Sequence, residues 1–97
     1  MSSKVIVNFD TVVVIVEGKL EQQESESTAA EIVSRLSNHV KNITIDFSLA
    51  EHISSYGVFT LTTLKEKVNK LGGEFQVINV PESIKKVLTL LNFTDNT

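Results

Sequence analysis

Cysteine is absent from this 97-residue chain, which removes disulfides, thiol nucleophiles and thiolate metal sites from consideration. Histidine is scarce: His39 and His52 are the whole set. No third His or carboxylate lies at ligand spacing from them, so both read as surface residues and no metal centre is expected. Basic residues never run longer than Lys85-Lys86, and nine Lys and Arg against twelve Asp and Glu leave a net charge of −3. A nucleic-acid partner would lack its electrostatic footprint. No apolar stretch approaches the roughly 20 residues of a membrane span, and no charged-then-apolar leader opens the chain; no membrane insertion and a cytoplasmic location are expected. A phosphate loop of the form Gly-x-x-x-x-Gly-Lys is missing, as is a Gly-x-Ser-x-Gly elbow that would present a serine nucleophile.

What remains is ordinary for one ordered domain, with 41% hydrophobic and 22% charged residues. Two Val- and Ile-rich segments, 4–9 and 11–17, read as a strand hairpin with Gly18 ending the second. The unbroken apolar run Val12 to Val16 suggests a central strand covered on both faces. Polar residues 21–27 then lead to a helix. The Thr28 and Glu31 spacing of a capping box marks its start, with Ser25 or Ser27 as other caps. Its apolar stripe is Ala29, Ile32, Val33, Leu36 and Val40.

The period of two in Ile43, Ile45 and Phe47 predicts a third strand over residues 42–47. A second helix beginning near Ser55 carries Leu61, Leu64, Val68 and Leu71, and Gly72-Gly73 stops it. Residues 74–80 form a fourth strand. Pro81 opens a third helix with Ile84, Val87, Leu88 and Leu91, and residues 92–97, with Phe93 as their one apolar anchor, are expected to fray. Helices between successive strands require parallel, right-handed crossovers. The fold class is therefore α/β: a mixed sheet of about four strands packed against three or more helices.

Three pieces of this sequence resemble the STAS domain of anti-sigma factor antagonists. They are the turn Gly18-Lys19-Leu20-Glu21, similar to the family's Gly-Glu-Leu-Asp, the strand ending Asp46-Phe47-Ser48, and Ile53-Ser54-Ser55-Tyr56-Gly57. The last is similar to the family's Asp-Ser-Ser-Gly phosphorylation motif, with Ser54 where the motif has Asp and Tyr56 where it has its second Ser. Lys70-Leu71-Gly72-Gly73 follows the helix as in the family. The resemblance covers nearly the whole chain and implies a single STAS domain over residues 1–97 whose final family helix is missing or shortened. It further implies a binding module, not an enzyme, that docks on an anti-sigma factor which is also a serine kinase and is switched when that partner phosphorylates Ser55, or less favourably Ser54. ATP belongs to the partner; the module needs no cofactor, metal or small-molecule substrate. Glu21, Asp46, Ser54, Ser55, Tyr56 and Gly57 are the implied partner-binding residues. A second role in the family is a subunit that is never phosphorylated and serves a signalling scaffold or lipid-transport complex.

Physical chemistry makes Ser55 a reasonable position for a phosphate. At the amino end of a helix, unpaired N–H groups and the dipole favour an anion. The phosphate adds about −1.5 to −2 charges, beside Glu21 and Asp46 if the sheet edge brings those near, and repels an acidic partner. The same serines read equally as a plain N-cap worth about 1 kcal/mol. His52, Asp46 and either serine share the residue types of a hydrolytic triad, but proximity in sequence is not triad geometry. Tyr56, with Val58 and Phe59, is either core or an exposed aromatic contact, Val58 being the better core residue.

Overall fold

The computed structural model describes residues 2–91 and Phe93. Its elements run β1 (Ser2–Asn8), β2 (Thr11–Leu20), α1 (Gln22–Arg35), β3 (Asn42–Ile53), α2 (Ser55–Leu71), β4 (Phe75–Ile78) and α3 (Glu82–Leu90). One sheet has the order β1-β2-β3-β4. β1 is antiparallel to β2, while β2, β3 and β4 are parallel. The mixed α/β architecture expected from the sequence is present.

Alternation along the strands decides where the core lies. Val12, Val14 and Val16 on β2, with Ile43, Ile45 and Phe47 on β3, are at most 2% exposed. Ile32 of α1, Val58, Leu61, Leu64 and Val68 of α2, and Ile84 and Leu88 of α3 complete the same core. The interleaved residues Val13, Ile15, Thr44 and Asp46 are only half-buried. The apolar run over Val12–Val16 thus belongs to a central strand covered fully on one face, not on both. Val and Ile at the half-buried positions reflect strand preference, since β-branched side chains suit a pleated surface even when it is partly wet.

Both β2 and β3 outrun their expected ends, for one reason. Pairing of β2 with β3 slips between Ile15 and Glu17 and again between Gly18 and Lys19, where β3 holds extra residues. Each bulge shifts the period of two, so Ser48, Glu51 and His52 look like loop residues while the ladder continues to Leu20 and Ile53. Gly18, at φ 78°, sits at the second slip and lets β2 pass through it.

α1 begins at Gln22, six residues before Thr28, and ends at Arg35 with Leu36 as its C-cap. Thr28 is therefore inside the helix, and neither Ser25 nor Ser27 caps it. Glu21, extended at φ −107°, is the N-cap and uses no side-chain bond. Residues 22–28 are polar because most of the first two turns face water, yet Gln and Glu are sound helix formers and Glu24 suits the positive end of the dipole. The inward positions are Ser25, 1% exposed, and Ile32. Leu36 and Val40 reach the core from the following loop, not from the helix.

α2 stops where expected: Gly72 adopts φ 81° and its N–H bonds the carbonyls of Asn69 and Val68. Pro81 is the N-cap of α3, one position ahead of its expected place inside the first turn. Phe93 packs edge-on against Phe75, centroids 6.2 Å apart, with the Lys65 ammonium 5.4 Å above its ring. The expected fraying of residues 92 and 94–97 falls outside the described residues.

Candidate functional site

The carboxyl ends of β2 and β3 assemble the candidate site. Leu20 and Ile53 are ladder partners at the end of both strands. The Leu20 carbonyl then accepts two bonds from the next residue of the other strand: the Ser54 amide at 3.1 Å and the Ser54 hydroxyl at 3.3 Å. Both chains turn into helices immediately afterwards, so Glu21 at the start of α1 and Ser54 to Gly57 at the start of α2 occupy one corner of the molecule.

Ser54 is the N-cap of α2. Its backbone is extended and its Oγ accepts the Gly57 N–H at 3.3 Å, while its carbonyl accepts the Val58 N–H at 3.1 Å. That hydroxyl is committed on both sides and half-buried. Ser55, the first helical residue, is exposed, and its hydroxyl makes no hydrogen bond among the described residues. The amides of Ser55 and Tyr56 also meet no acceptor there. Two orphan donors of a 17-residue helix therefore point out beside an open hydroxyl.

Gly57 is buried against the same corner. A Cβ on it would stand 2.7 Å from Ile53 Cγ1 and 2.9 Å from the Leu20 oxygen, so only glycine lets α2 approach the strand ends this closely. Tyr56 and Phe59 face water, 55% and 71% exposed, whereas Val58 is core at 4%. The aromatic question left by the sequence resolves into two exposed rings on the first turns of α2.

Asp46 is not brought to this corner. It lies mid-strand, paired with Ile15 and Ile78, seven residues or about 23 Å of extended chain before Ile53. Its Oδ1 accepts the Ser48 N–H at 2.8 Å and the Asn79 side-chain amide at 3.2 Å. The Ser48 amide above all, aided by Asn79, holds the carboxyl below the usual carboxylate range, outweighing slight burial. Its role is to tie a β3 bulge to the turn after β4, where Asn79 adopts φ 55°. His52 and Asp46 share a strand six residues apart and form no triad with either serine. Among the described residues no three His, Asp or Glu side chains gather as a metal site, and no helix is long and apolar enough to cross a membrane.

Sequence reasoning missed the Leu20 carbonyl, a backbone group that no side-chain pattern could mark. It also left Phe59 undecided, although an aromatic one position after a core Val on a helix is turned outward by the 100° step.

The family model of the STAS domain matches residues 3–97. No curated protein matches the chain in sequence. Among solved structures, the fold is similar to the anti-sigma factor antagonist SpoIIAA in its unphosphorylated form, at 21% identity over 92% of this chain and 83% of that one, TM-score 0.79. The Bacillus cell fate determinant SpoIIAA in its phosphorylated form aligns at 21% identity over 95% and 85%, TM-score 0.75. An anti-sigma factor antagonist from Mycobacterium paratuberculosis aligns at 22% identity over 94% and 77%, TM-score 0.78.

Proposed function

This chain belongs to the STAS domain family, and we propose that it is a cytoplasmic binding module that docks on a kinase-type anti-sigma factor and is released when that partner phosphorylates Ser55. The supporting observation is the division of labour between adjacent serines. Ser54 caps α2 with a committed hydroxyl, while Ser55 stands exposed at its first turn with no bond to lose. Modification at Ser55 leaves the cap intact; modification at Ser54 removes it.

The switch is electrostatic. Phosphate on Ser55 lies near the unpaired amides of Ser55 and Tyr56, which favour an anion, so the module itself tolerates the charge. Glu21 on the same corner adds negative potential. An acidic partner surface that accepts the neutral hydroxyl then meets like charge, which costs several kcal/mol at a desolvated contact. Ser54, standing where the family motif has Asp, keeps the capping function with a neutral group, because Ser and Asp cap almost equally well. Tyr56 and Phe59 supply the aromatic contact area that interfaces favour.

Binding of the purified partner to wild type, Ser55→Ala and Ser55→Asp, by calorimetry, tests the reading. Retained affinity for Ser55→Ala with at least a tenfold loss for Ser55→Asp is expected, a difference of about 1.4 kcal/mol or more. Equal, tight binding of all three contradicts the switch and favours the unmodified assembly-subunit role.

A further inference from the structure

We propose that the sheet face left without helices is a self-association surface. Two copies pack there about a two-fold axis along β2, with Ile15 on the axis and Lys4 opposite Asp46 of the second copy. This goes beyond the serine switch and does not depend on it. The buried residues of all three helices join one core with Val12, Val14 and Val16, so the alternate residues of β1, β2 and β3 lie on a face that no described helix covers. That face carries Ile6, 44% exposed, and Leu49, 54% exposed, beside the half-buried Val13 and Ile15. Lys4, Ile15, Glu17 and Leu49 line one shallow hollow in it.

Register selects the occupant. Lys4 pairs with Ile15 and Ile15 with Asp46, so one row across three adjacent strands runs cation, apolar, anion. The neighbouring row, Ile6, Val13 and Thr44, is uncharged. Half a turn about β2 lays β1 over β3 of the second copy and β2 over its own counterpart. Lys4 then stands opposite Asp46 of the second copy, twice by symmetry, while Val13 and Ile15 each meet themselves. Stacked sheets lie about 10 Å apart, a gap that an extended lysine and an aspartate together span. Neither Lys4 nor Asp46 forms an ion pair among the described residues, and the bonds that Asp46 accepts from Ser48 and Asn79 come from neutral groups. A row in this order is complementary to itself, which is what a two-fold interface requires.

Glu17 limits the affinity. It lies two residues beyond Ile15 on β2, in the row that ends at Leu49, and so approaches Glu17 of the second copy. Three strands about 4.8 Å apart, with same-face rows about 7 Å apart, give a footprint of about 15 by 20 Å. The dimer is therefore weak, at the small end of specific interfaces.

Sedimentation equilibrium of the full chain from about 10 to about 1,000 µM, the range for so small an interface, tests this. A monomer–dimer equilibrium is expected. Lys4→Glu, which sets two like-charge pairs across the axis, should weaken it by about fivefold or more, and Glu17→Gln should strengthen it. Ile15→Lys and Ile15→Glu should each be monomeric alone and form a mixed dimer together, because position 15 meets its own counterpart. Circular dichroism checks that the variants fold; Lys4→Glu, at an exposed position, decides the matter if an Ile15 variant unfolds. A monomer at every concentration, a dimer indifferent to Lys4→Glu, or folded Ile15 variants that fail to pair with each other would overturn the proposal. An indifferent dimer would place the contact elsewhere, at the β1 edge or the α1–α2 groove.

Discussion

The Leu20 carbonyl holds both the amide and the hydroxyl of Ser54, at 3.1 and 3.3 Å. Through this one oxygen the end of β2 fixes the start of α2, and the two segments that resemble the family's motifs meet although they are 34 residues apart. Ser54→Ala removes the hydroxyl half of that tether and the side-chain N-cap together, leaving the amide bond to Leu20. Urea denaturation should show a loss of about 1 to 2 kcal/mol for Ser54→Ala. Ser55→Ala should stay within about 0.5 kcal/mol of wild type, as an exposed site without bonds does. Equal losses would mean that the two hydroxyls do not divide their roles.

Gly57→Ala is expected to destabilise by about 1 to 3 kcal/mol, the range for overpacking. The new methyl meets Ile53 Cγ1 and the Leu20 oxygen at under 3 Å. Helix propensity alone favours Ala by about 1 kcal/mol, so the sign of the change in chemical denaturation separates close approach from propensity.

Phe9→Gly should stabilise the fold by about 0.5 to 1 kcal/mol. Phe9 is 94% exposed at the tip of the β1–β2 hairpin and adopts φ 56°, a region that costs an L-residue about 1 to 2 kcal/mol and glycine nothing. Glycine returns part of that gain through its freer unfolded chain. A rise in the urea midpoint at unchanged slope is the expected outcome.

The fold was readable where side-chain period and packing agreed. Val12, Val14 and Val16, Ile43 to Phe47, and Leu61, Leu64 and Val68 of α2 carry their structural reason in the side chain, and Gly72 in the lack of one; Leu71, expected in the α2 stripe, is exposed because it lies in the last turn. It was unreadable where backbone geometry overruled the pattern. The bulges in β3 hid six strand residues behind Ser48 to Ile53, and α1 concealed its first turns because they face water and are polar. The site divided in the same way. Ser55 and Gly57 were visible as residue types near a helix start, whereas the meeting of Leu20 with Ser54 depends on a carbonyl. Asp46 lies far from the serines because β3 runs on past Phe47 to Ile53, a continuation that the polar residues Ser48, Glu51 and His52 conceal in the sequence.

Asp46 gives the fold a predictable acid response. Its folded-state pKa is depressed, chiefly by the Ser48 amide, so its stabilising contribution is present above the unfolded value of about 3.9 and is lost as pH falls through and below it. Thermal unfolding followed from pH 6 to pH 2.5 should show wild type losing more stability than Asp46→Asn across the acidic end. Parallel curves would mean that the bonds to Ser48 and Asn79 contribute nothing to folding.

The central claim is that Ser55, and not its capping neighbour, receives the phosphate. Incubation with the partner kinase and ATP, followed by peptide mass spectrometry of wild type, Ser54→Ala and Ser55→Ala, addresses it directly. One phosphate on Ser55 in wild type and in Ser54→Ala, absent from Ser55→Ala, is the predicted result. Phosphate on Ser54, or a stable complex that never becomes labelled, would contradict the account.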